Sequence, residues 1–400
     1  MYRLYGKIQH YTWGGFDFIP NLLGIKNTER KPFAEYWMGA HHSASAQLGK
    51  ELLSLHTLLQ EQKEELLGAY VAREFGDLPY LFKILDVKDM LSIQVHPSRK
   101  EAEKEFAREN KEGIPLTDPA RNYKDANHKP ELMVALSDFW LLHGFKPADE
   151  LQAVLQDTPE LQFLLPIFKK DGYEKLYRTV MELPQREVNE RLQPLLDRII
   201  PLYNENSLSK SDENFWAARA ALTFHHDENF DRGIFSIYLF NLVYLKPGEG
   251  IFQDAGVPHA YLEGQNAEIM ANSDNVLRGG LTAKHIDVKQ LLKHVQCRPV
   301  RPQILTGKIN EQLEIVYKTP AKEFELSRIV LRGNEKISYV SRTGEVLLLT
   351  EGRVRINVAN EITTLNRGEA VFIVANQPAD IKAAEDAVVF RATVPVHKGE

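Results

Sequence analysis

Cysteine is almost absent from this sequence: Cys297 is the only one in 400 residues. An internal disulfide is therefore impossible, which fits a protein of a reducing compartment. The sequence also lacks an apolar run near the length of a membrane-spanning helix, about 18 residues, and its first residues lack the apolar core of a signal peptide. These absences predict a cytoplasmic protein with no membrane partner.

A strong excess of one charge is absent as well, since 49 Lys and Arg stand against 55 Asp and Glu, for a net charge of -6. This balance argues against a nucleic-acid partner. It still permits an anionic small molecule, provided that a few cations gather in one pocket. The hydrophobic content of 43% is typical of a globular protein, and 400 residues are enough for two or three subdomains. We therefore expect a multi-part protein that acts on a small molecule.

Residues 91–97 contain the first chemical pattern. Apolar and polar residues alternate there, so a strand would place Ser92, Gln94 and His96 on one face, and Pro97 would end it. An amide and an imidazole two residues apart on a rigid strand are candidate metal ligands. A half-buried strand with one hydrogen-bonded histidine gives the same pattern, so the motif alone does not decide between the two.

Two further segments place polar groups next to predicted strands. The apolar run at residues 80–87 predicts a buried strand whose one cation, Lys83, must either reach solvent or meet an anion. His128, Lys129 and Glu131 lie where a polar loop leads into another predicted strand. Such junctions often carry functional side chains on a rigid frame.

Helices are predicted in three places. Apolar spacing predicts a helix at residues 52–70, and a segment rich in Lys, Glu and Ala predicts another at residues 98–110, with Ser98 as its N-cap. Residues 147–221 predict four or five short helices, because prolines interrupt the helical spacing. These prolines are Pro159, Pro166, Pro184, Pro194 and Pro201. We interpret this part as a helical subdomain inserted between β-rich segments, since β character returns at residues 234–245.

The segment that follows has the construction of a barrel. A glycine-containing turn and a short strand lead to Pro258 and His259, an arrangement with which a jelly-roll barrel places a ligand histidine near its mouth. Residues 268–284 then combine two carboxylates, an arginine and a lysine with two adjacent glycines, which predicts the polar wall of a pocket. The four charged residues are Glu268, Asp274, Arg278 and Lys284.

The last part, residues 324–394, predicts short alternating strands and repeats the segment around His259. Setting Leu245 on Leu365 aligns Gly248 with Gly368, Glu249 with Glu369, Phe252 with Phe372, Ala255 with Ala375 and Pro258 with Pro378. The position that matches His259 is Ala379. The repeat predicts two barrel-like units, of which only the first keeps a metal-binding histidine.

Gln94, His96, Glu131 and His259 together make a candidate metal site. Two imidazoles, one carboxylate and an amide oxygen suit a borderline cation such as zinc, with open positions for water or a substrate. Ten other histidines are alternatives by residue type: His10, His41, His42, His56, His143, His225, His226, His285, His294 and His397. Spacing alone therefore does not single out the ligands.

Four motifs occur in the order typical of one family, at residues 91–97, 128–131, 256–261 and 275–282, with support from residues 13–15 and 35–41. They resemble type I mannose-6-phosphate isomerases, the zinc-dependent phosphomannose isomerases of the cupin superfamily. The resemblance covers nearly the whole chain. It implies a mainly β fold of two cupin-type jelly-roll barrels, the second without metal ligands, plus an inserted α-helical subdomain. The implied boundaries are residues 1–146 and 229–315 for the catalytic β domain, 147–228 for the helices and 316–400 for the second barrel.

The resemblance also implies roles for individual residues. The family's zinc ligands are matched one for one by Gln94, His96, Glu131 and His259, so one zinc ion per chain is expected. Its catalytic arginine is matched by Arg278, and its active-site wall by Lys129, Glu268, Tyr261 and Asp274. Positions proposed to hold the phosphate are matched by Ser92, Lys83 and Lys284. The chain departs from the family at Gly279 or Gly280 and at Ala283, where the family usually has alanine and proline, and this departure concerns the rigidity of the loop.

The implied reaction interconverts D-mannose 6-phosphate and D-fructose 6-phosphate by moving a proton between C2 and C1 through a cis-enediol. Zinc would stabilise the charge that develops on O1 and O2. Arg278 stays protonated, so its role is electrostatic and not that of a base. The sequence does not rank Glu268, Lys129, His128 and Asp274 as the base. Our hypothesis is Lys129, because a neighbouring cation favours the neutral amine.

Plainer roles stay open at this point. Lys83 and Lys284 fit ordinary lysines that reach solvent, and Asp274 fits a turn cap. Tyr261 fits a packing residue, the role that we also give to Trp13 and Trp37. Two other functions are an iron-dependent cupin oxygenase and a non-catalytic sugar-phosphate-binding protein. Gln94 as a fourth ligand and the cationic wall favour a redox-silent metal and an anionic sugar. We expect a monomer that acts on a small sugar phosphate.

Overall fold

The computed structural model describes residues 1–224, 229–310 and 313–396. Within these ranges the chain is a mixed α/β protein built on three antiparallel sheets. The predicted boundary at residue 228, the end of the chain at residue 400 and the alternative ligands His225, His226 and His397 lie outside the described residues. None of the described helices is long and apolar enough to cross a membrane.

The described strands fall into three groups along the chain. In the first part of the chain the strands are β1 (Tyr2–Tyr5), β2 (Lys7–Gln9), β3 (Glu35–Gly39), β4 (Gln47–Leu48), β5 (Leu53–Ser54), β6 (Tyr80–Val87), β7 (Ile93–Val95), β8 (Glu131–Ala135) and β9 (Phe139–Phe145). The middle strands are β10 (Phe240–Leu245), β11 (Gly250–Gln253), β12 (His259–Ala271) and β13 (Leu277–Gly280). The last strands are β14 (Lys308–Ile309), β15 (Glu314–Tyr317), β16 (Glu325–Leu331), β17 (Lys336–Ser341), β18 (Glu345–Glu351), β19 (Arg353–Val358), β20 (Glu361–Asn366), β21 (Ala370–Ile373), β22 (Gln377–Ala383) and β23 (Ala387–Thr393).

All of the described α-helices except α10 precede strand β10. They are α1 (Phe18–Leu23), α2 (Leu55–Leu67), α3 (Ala69–Glu74), α4 (Arg99–Lys111), α5 (Ala148–Asp157), α6 (Leu165–Glu182), α7 (Gln185–Asn204), α8 (Glu213–Thr223), α9 (Gly233–Leu239) and α10 (Val288–His294), with a 3-10 helix at Pro159–Leu164. Ser98 caps α4 as predicted, because its hydroxyl accepts a hydrogen bond from the Glu101 amide at 3.4 Å. The predicted helix at residues 52–70 begins later, after the short strand β5.

Strand β12 is the centre of the ten-stranded sheet. It pairs with β6, β7, β8 and β9, all antiparallel. Because its 13 residues are nearly all buried, both of its faces are covered. Successive side chains point to opposite faces and therefore enter two different surroundings. The strand therefore gathers side chains from four neighbours, which sets the position of the candidate site.

The other two sheets are formed mainly by the C-terminal part of the chain. A nine-stranded sheet has the order β14-β15-β16-β23-β18-β21-β1-β4-β5, so the N-terminal strand β1 extends a C-terminal sheet. A four-stranded sheet has the order β17-β22-β19-β20. The pairings of the described strands give open orders and no closed barrel. What the structure establishes is therefore the coarser architecture, antiparallel sheets combined with helices.

The repeat around His259 corresponds to a repeated turn, between β10 and β11 in the first copy and between β20 and β21 in the second. Gly248 and Gly368 both adopt a positive φ, 87° and 84°, which favours glycine. In each copy the glutamate that follows closes the turn: its amide donates to the carbonyl three residues earlier at 3.0 Å, in the pairs Glu249–Lys246 and Glu369–Asn366. The sequence repeat is thus a repeat of local structure, and β12 and β22 follow the two copies.

Three predicted element bounds were wrong. The strand predicted at residues 91–97 is limited to Ile93–Val95. Residues 234–245, where β structure is predicted, begin in helix α9, whose residues are all buried. A buried apolar run of this length does not distinguish a helix from a strand. Two of the five prolines, Pro194 and Pro201, lie inside the continuous helix α7, whose buried apolar face offsets their cost of about 3 kcal/mol each.

The helices share a core with the strand that carries the first motif. Ile93 and Val95 of β7 lie in the same apolar cluster as Trp216 of α8, Leu195 of α7 and Phe235 of α9. The apolar side of β7 is therefore held by the helices, while Gln94, between its two buried neighbours, remains partly accessible.

Candidate metal centre and substrate cavity

Three buried side chains meet where β7, β8 and β12 converge. Gln94 of β7 lies directly opposite His259 at the start of β12, and Glu131 begins β8, which pairs with the other end of β12. Glu131 has one carboxylate oxygen 3.5 Å from His96 Nε2 and the other 3.3 Å from His259 Nε2. The ligating atoms of these three residues all lie within 4.8 Å of one another.

Both imidazoles are oriented by backbone carbonyls. Nδ1 of His96 donates to the Asn275 carbonyl at 2.9 Å, and Nδ1 of His259 donates to the Val257 carbonyl at 3.0 Å. Because a carbonyl only accepts, each Nδ1 carries the proton, and each Nε2 presents its lone pair to the cluster. Burial lowers the pKa of His96 to about 4, so the ring is neutral at physiological pH. Its Nε2 is buried without a hydrogen-bond partner, as expected for an atom that binds a metal.

Glu131 is the charge of this cluster. Lys129 Nζ lies 3.1 Å from Glu131 Oε1. Although burial alone raises the pKa of Glu131, Lys129 and the two histidines hold it well below its usual value. The ionised carboxylate, two imidazole nitrogens and the nearby amide of Gln94 are a donor set that fits a borderline divalent cation.

A second buried charge cluster lies beside the first. Lys83 Nζ lies 3.3 Å from a Glu35 oxygen and 3.4 Å from a Glu268 oxygen, and it faces the Trp37 ring at 5.0 Å from the centroid. The register explains the grouping, because Lys83 is opposite Trp37 on one side and Glu268 on the other. Burial lowers the pKa of Lys83, but the two carboxylates outweigh burial and raise it, so the lysine stays charged.

Glu268 is further held by Tyr261, whose hydroxyl donates to it at 2.8 Å. Burial, then the Glu131 charge, raises the pKa of Glu268, while Lys83 opposes the rise. Burial, then the Glu268 carboxylate, raises the pKa of Tyr261 well above its usual value, so its hydroxyl keeps its proton. Tyr261 is thus a hydrogen-bond donor in the site, in addition to packing against Phe139.

A cavity of about 590 Å³ adjoins both clusters. Seven of the predicted site residues line it: Lys83, Ser92, Gln94, Lys129, Asp274, Arg278 and Lys284. Gln94 lines this cavity and also a smaller one of about 60 Å³ that reaches Glu131, His259, Tyr261 and Glu268. The metal-ligand cluster and the cationic wall therefore lie beside two neighbouring cavities, which share Lys83, Gln94 and Lys129 in their linings.

Arg278 and Lys284, the cationic wall of the large cavity, differ from Lys83 in their ion pairing. Among the described residues, no carboxylate oxygen lies within 4.0 Å of the cationic nitrogens of Arg278 or Lys284. Burial lowers the pKa of Arg278, and burial together with the Arg278 charge lowers that of Lys284. Because these cations lack a protein anion, an anionic ligand would relieve their mutual repulsion.

Two predicted residues have partners outside the cluster. His128 Nε2 lies 2.7 Å from a Glu323 carboxylate oxygen and is not among the residues that line either cavity, so the structure does not bring it into the site. Asp274 lines the large cavity but pairs with His41, at 3.2 Å between Nε2 and Oδ2. Although burial raises the pKa of Asp274, His41 lowers it overall.

Sequence reasoning missed the roles of four residues that build this site. Glu35 pairs with Lys83 and accepts a hydrogen bond from Trp37, which the sequence suggests is a packing residue alone. His41 holds Asp274. Asn275 orders the loop before β8, because its side-chain oxygen accepts from the Lys124 amide at 2.7 Å while its carbonyl orients His96. All four lie in motifs that carry the family resemblance, at residues 35–41 and 275–282, and this was the signal that could have found them.

The chain also resembles proteins of known activity. A family model described as phosphomannose isomerase type I, catalytic domain, matches residues 1–148. Mannose-6-phosphate isomerase of Escherichia coli is 34% identical over 392 residues, which cover 96% of this chain and 97% of the relative. The Homo sapiens enzyme of the same name is 32% identical over 424 residues, with 96% of each chain covered.

Solved structures match the fold over the same length. A crystal structure of mannose 6-phosphate isomerase from Salmonella typhimurium, bound to its substrate fructose 6-phosphate and to zinc, has a TM-score of 0.88 at 32% identity and covers 99% of this chain and 100% of that one. A crystal structure of mannose 6-phosphate isomerase bound with zinc and yttrium has a TM-score of 0.89 at 32% identity, with the same coverage. Since sequence and fold agree over nearly the entire length, the chain belongs to the type I phosphomannose isomerase family.

Proposed function

We propose that this protein is a mannose-6-phosphate isomerase that uses one zinc ion to interconvert D-mannose 6-phosphate and D-fructose 6-phosphate. The observation that carries the proposal is the cluster of His96, Glu131 and His259 next to a cavity whose wall holds Arg278 and Lys284, two cations without a carboxylate partner among the described residues. A metal site beside a cavity that carries such cations fits a phosphorylated sugar.

The residues present fit zinc. His96, Glu131 and His259 would hold it, with Gln94 as a fourth ligand, and the unpartnered Nε2 of His96 is the observation that favours a metal over a hydrogen-bond network. Bound zinc would supply a Lewis acid that stabilises negative charge on the sugar oxygens near C1 and C2. The Asn275 and Val257 carbonyls fix both rings before the ion arrives, so little ordering is needed on binding.

The phosphate end of the sugar lies, in this proposal, against Ser92 and Lys284. Both groups line the large cavity, and Lys284 has no carboxylate partner among the described residues. Lys83 is a weaker candidate for direct phosphate binding, because its charge is already shared by Glu35 and Glu268. We infer that Lys83 chiefly pairs with these two carboxylates and so holds them in place next to the metal site.

Proton transfer between C2 and C1 requires a group that reaches the space between the ligand cluster and the cavity. Lys129 lines both the large and the small cavity and is only 11% exposed, so we assign it the transfer. Glu268, held by Tyr261 and Lys83, is the second candidate. Arg278, which lies opposite Gln94 across β7 and β13, would stabilise the enediolate electrostatically. Asp274, at the cavity wall and paired with His41, is placed to hold a ring hydroxyl during ring opening.

We further propose that the sheets belong to two cupin-type jelly-roll units, the second without metal ligands, as the repeated turn at Gly248 and Gly368 supports. The proposed division keeps residues 1–146 and 229–315 as the catalytic part, 147–228 as the helical insertion and 316–400 as the second unit. We propose that the protein acts as a monomer. The single cysteine supports a cytoplasmic location, and the net charge of -6 supports the absence of a nucleic-acid partner.

The test is conversion of mannose 6-phosphate to fructose 6-phosphate before and after chelation, with metal content measured on the same sample. We expect turnover to be lost on chelation and restored by zinc. No turnover in the zinc-loaded protein would overturn the proposal and leave a sugar-phosphate-binding protein. The family membership and the zinc-bound relatives do not favour an iron oxygenase. Iron in place of zinc in the active sample would favour that alternative.

A further inference from the structure

The cavity wall that carries Arg278 and Lys284 includes an unusual backbone segment. Strand β13 has a bulge between Arg278 and Gly280 where it pairs with β7. Gly280 then has a φ of 130° and Leu281 a φ of 53°. The second value lies in the left-handed region, which costs about 1 kcal/mol or more for a leucine. Some other contact must therefore hold the loop at residues 279–284 in this conformation.

That contact is the carboxylate of Asp231, which comes just before α9. Its Oδ1 accepts hydrogen bonds from the amides of Leu281 at 2.8 Å and Gly233 at 2.7 Å. Its Oδ2 accepts one from the amide of Thr282 at 3.0 Å. Two of the three donors belong to the loop, including the amide of the residue with the strained φ. A carboxylate that accepts several backbone amides makes bonds about twice as strong as neutral ones.

The loop also lies unusually close to the chain beside Asp231. A Cβ on Gly280 would lie 2.4 Å from the Cα of Gly233, and a Cβ on Gly233 would lie 2.9 Å from the Cα of Gly280. Neither position has room for a side chain unless the backbone moves. The two glycines thus allow the approach, and the Asp231 carboxylate supplies the attraction that closes it.

We propose that Asp231 is a positioning residue for the phosphate end of the substrate, because it holds the loop that presents Thr282 and Lys284 to the cavity. This inference rests on the proposed function. It concerns a residue that does not line the large cavity and touches it only through the loop backbone.

The two parts of the wall depend on Asp231 to different degrees. Arg278 is held by its pairing with Gln94 in the sheet, independently of the loop. Thr282 and Lys284 come after the strained residue, and Thr282 Oγ1 in turn accepts the Lys284 amide at 3.1 Å. Loss of the carboxylate would therefore release Thr282 and Lys284 while Arg278 stays in place. The expected consequence is weaker binding of the phosphate with little change in the chemical step.

The experiment compares zinc-loaded wild type with D231A and D231N. We expect D231A to raise KM for mannose 6-phosphate about tenfold with kcat within about threefold of wild type. The dissociation constant of inorganic phosphate, measured by calorimetry, should rise by the same factor. D231N should fall between wild type and D231A, because the amide oxygen still accepts the Gly233 and Leu281 amides while its NH₂ group faces the Thr282 amide.

The matched control is D386A, since Asp386 also accepts a loop amide, from Gly333 at 2.9 Å, in the C-terminal part of the chain. It should leave KM and phosphate binding unchanged. A folded D231A with KM and phosphate affinity within about twofold of wild type overturns the inference, as does a fall in kcat alone. If D231A does not fold, a D231N variant identical to wild type in both measurements overturns it as well. Absence of turnover in wild type would overturn the proposed function instead, and phosphate calorimetry would still test the loop.

Discussion

Gln94 and His259 lie directly opposite each other across the antiparallel strands β7 and β12. Side chains in such a pair project to the same face with their Cβ atoms about 5 Å apart. On its other side Gln94 is opposite Arg278 of β13. The sheet itself therefore sets the spacing between two candidate metal ligands and the candidate catalytic arginine. A site fixed by strand register is preformed, so metal binding should need no folding transition.

The first prediction concerns the carboxylate of the metal site. Substituting Glu131→Gln removes the one negative charge of the cluster while keeping its shape. We expect zinc content to fall from about one per chain to near zero, with turnover lost at low zinc, because only two imidazoles and neutral amides would remain to bind the ion. Metal analysis after gel filtration measures this. The exposed His10→Ala serves as the control and should retain zinc, and an E131Q protein with full zinc content would refute the ligand assignment.

A second prediction concerns Asn275, which touches the metal site only through its backbone carbonyl. Its side chain donates to the carbonyls of Asp125 and Asn127 at 2.8 Å each. Replacement by alanine should let this loop and the His96 ring move. We expect zinc affinity to fall about tenfold to a hundredfold, the range found for residues that orient metal ligands. Competition with a fluorescent chelator measures it.

Asn27→Ala is the matched control for Asn275→Ala. The Asn27 amide also braces a loop by donating to two carbonyls, those of Phe16 and Lys31, neither of which belongs to the candidate metal site. Its zinc affinity should equal that of wild type. Equal affinities for both variants would mean that the His96 carbonyl contact does not depend on the Asn275 side chain.

The sequence was informative where chemistry is carried by strands. Alternation placed Gln94 and His96 on the polar side of a short strand, and the structure brings His96 together with Glu131 and His259, although their roles as ligands remain predictions. The repeat anticipated the equivalent turns at Gly248 and Gly368. These features are local, because period-two alternation and a turn glycine leave their mark within a few residues.

Tertiary contacts explain what the sequence did not reveal. The partnership of Asp231 with Leu281 joins residues 50 positions apart, and no spacing rule encodes it. Pro194 fits within α7 because the helix is held by burial of Leu192, Leu195 and other apolar residues, which outweighs propensity. His128 was a reasonable base by residue type, yet it pairs with Glu323, 195 positions further along the chain, and lines neither cavity.

A third prediction tests the proton carrier. Lys129→Met preserves most of the side-chain volume and removes the amine. We expect kcat to fall by about 10² to 10⁴, the usual contribution of a general acid or base, with zinc content unchanged. Exchange of the substrate C2 hydrogen with deuterated water, followed by NMR, should fall in parallel. Full turnover in K129M would exclude the lysine, and loss of turnover with retained exchange would transfer the role to Glu268. The exposed Lys104→Met is the control.

The fourth prediction concerns stability. Lys83→Met leaves the buried carboxylates of Glu35 and Glu268 without their shared cation. Breaking a buried pair in this way costs about 3–5 kcal/mol, so the midpoint of urea unfolding should fall clearly. Lys318→Met is the matched control, because Lys318 pairs with Glu325 but is 76% exposed, and surface pairs contribute about 0–1 kcal/mol. Similar midpoints for the two variants would mean that solvent reaches the Lys83 cluster.

The last prediction concerns pH and Glu105 of α4, a buried residue that pairs with Arg108 and with Lys293 of α10. Burial raises the pKa of Glu105, but hydrogen bonds from Lys293 and Arg108 lower it to about 2. A folded pKa below the unfolded value of about 4.5 means that the unfolded chain binds the proton first as pH falls. The stabilisation by the Glu105 carboxylate is therefore complete above about pH 4.5 and disappears between that value and about pH 2.

Glu105→Gln should lower the free energy of unfolding at neutral pH by about 1–2 kcal/mol, since both cations are more than one-third exposed. Urea unfolding at neutral pH and near pH 3 should show a smaller difference between the two proteins at the lower pH; a constant difference would mean that Glu105 acts through packing and not through its charge.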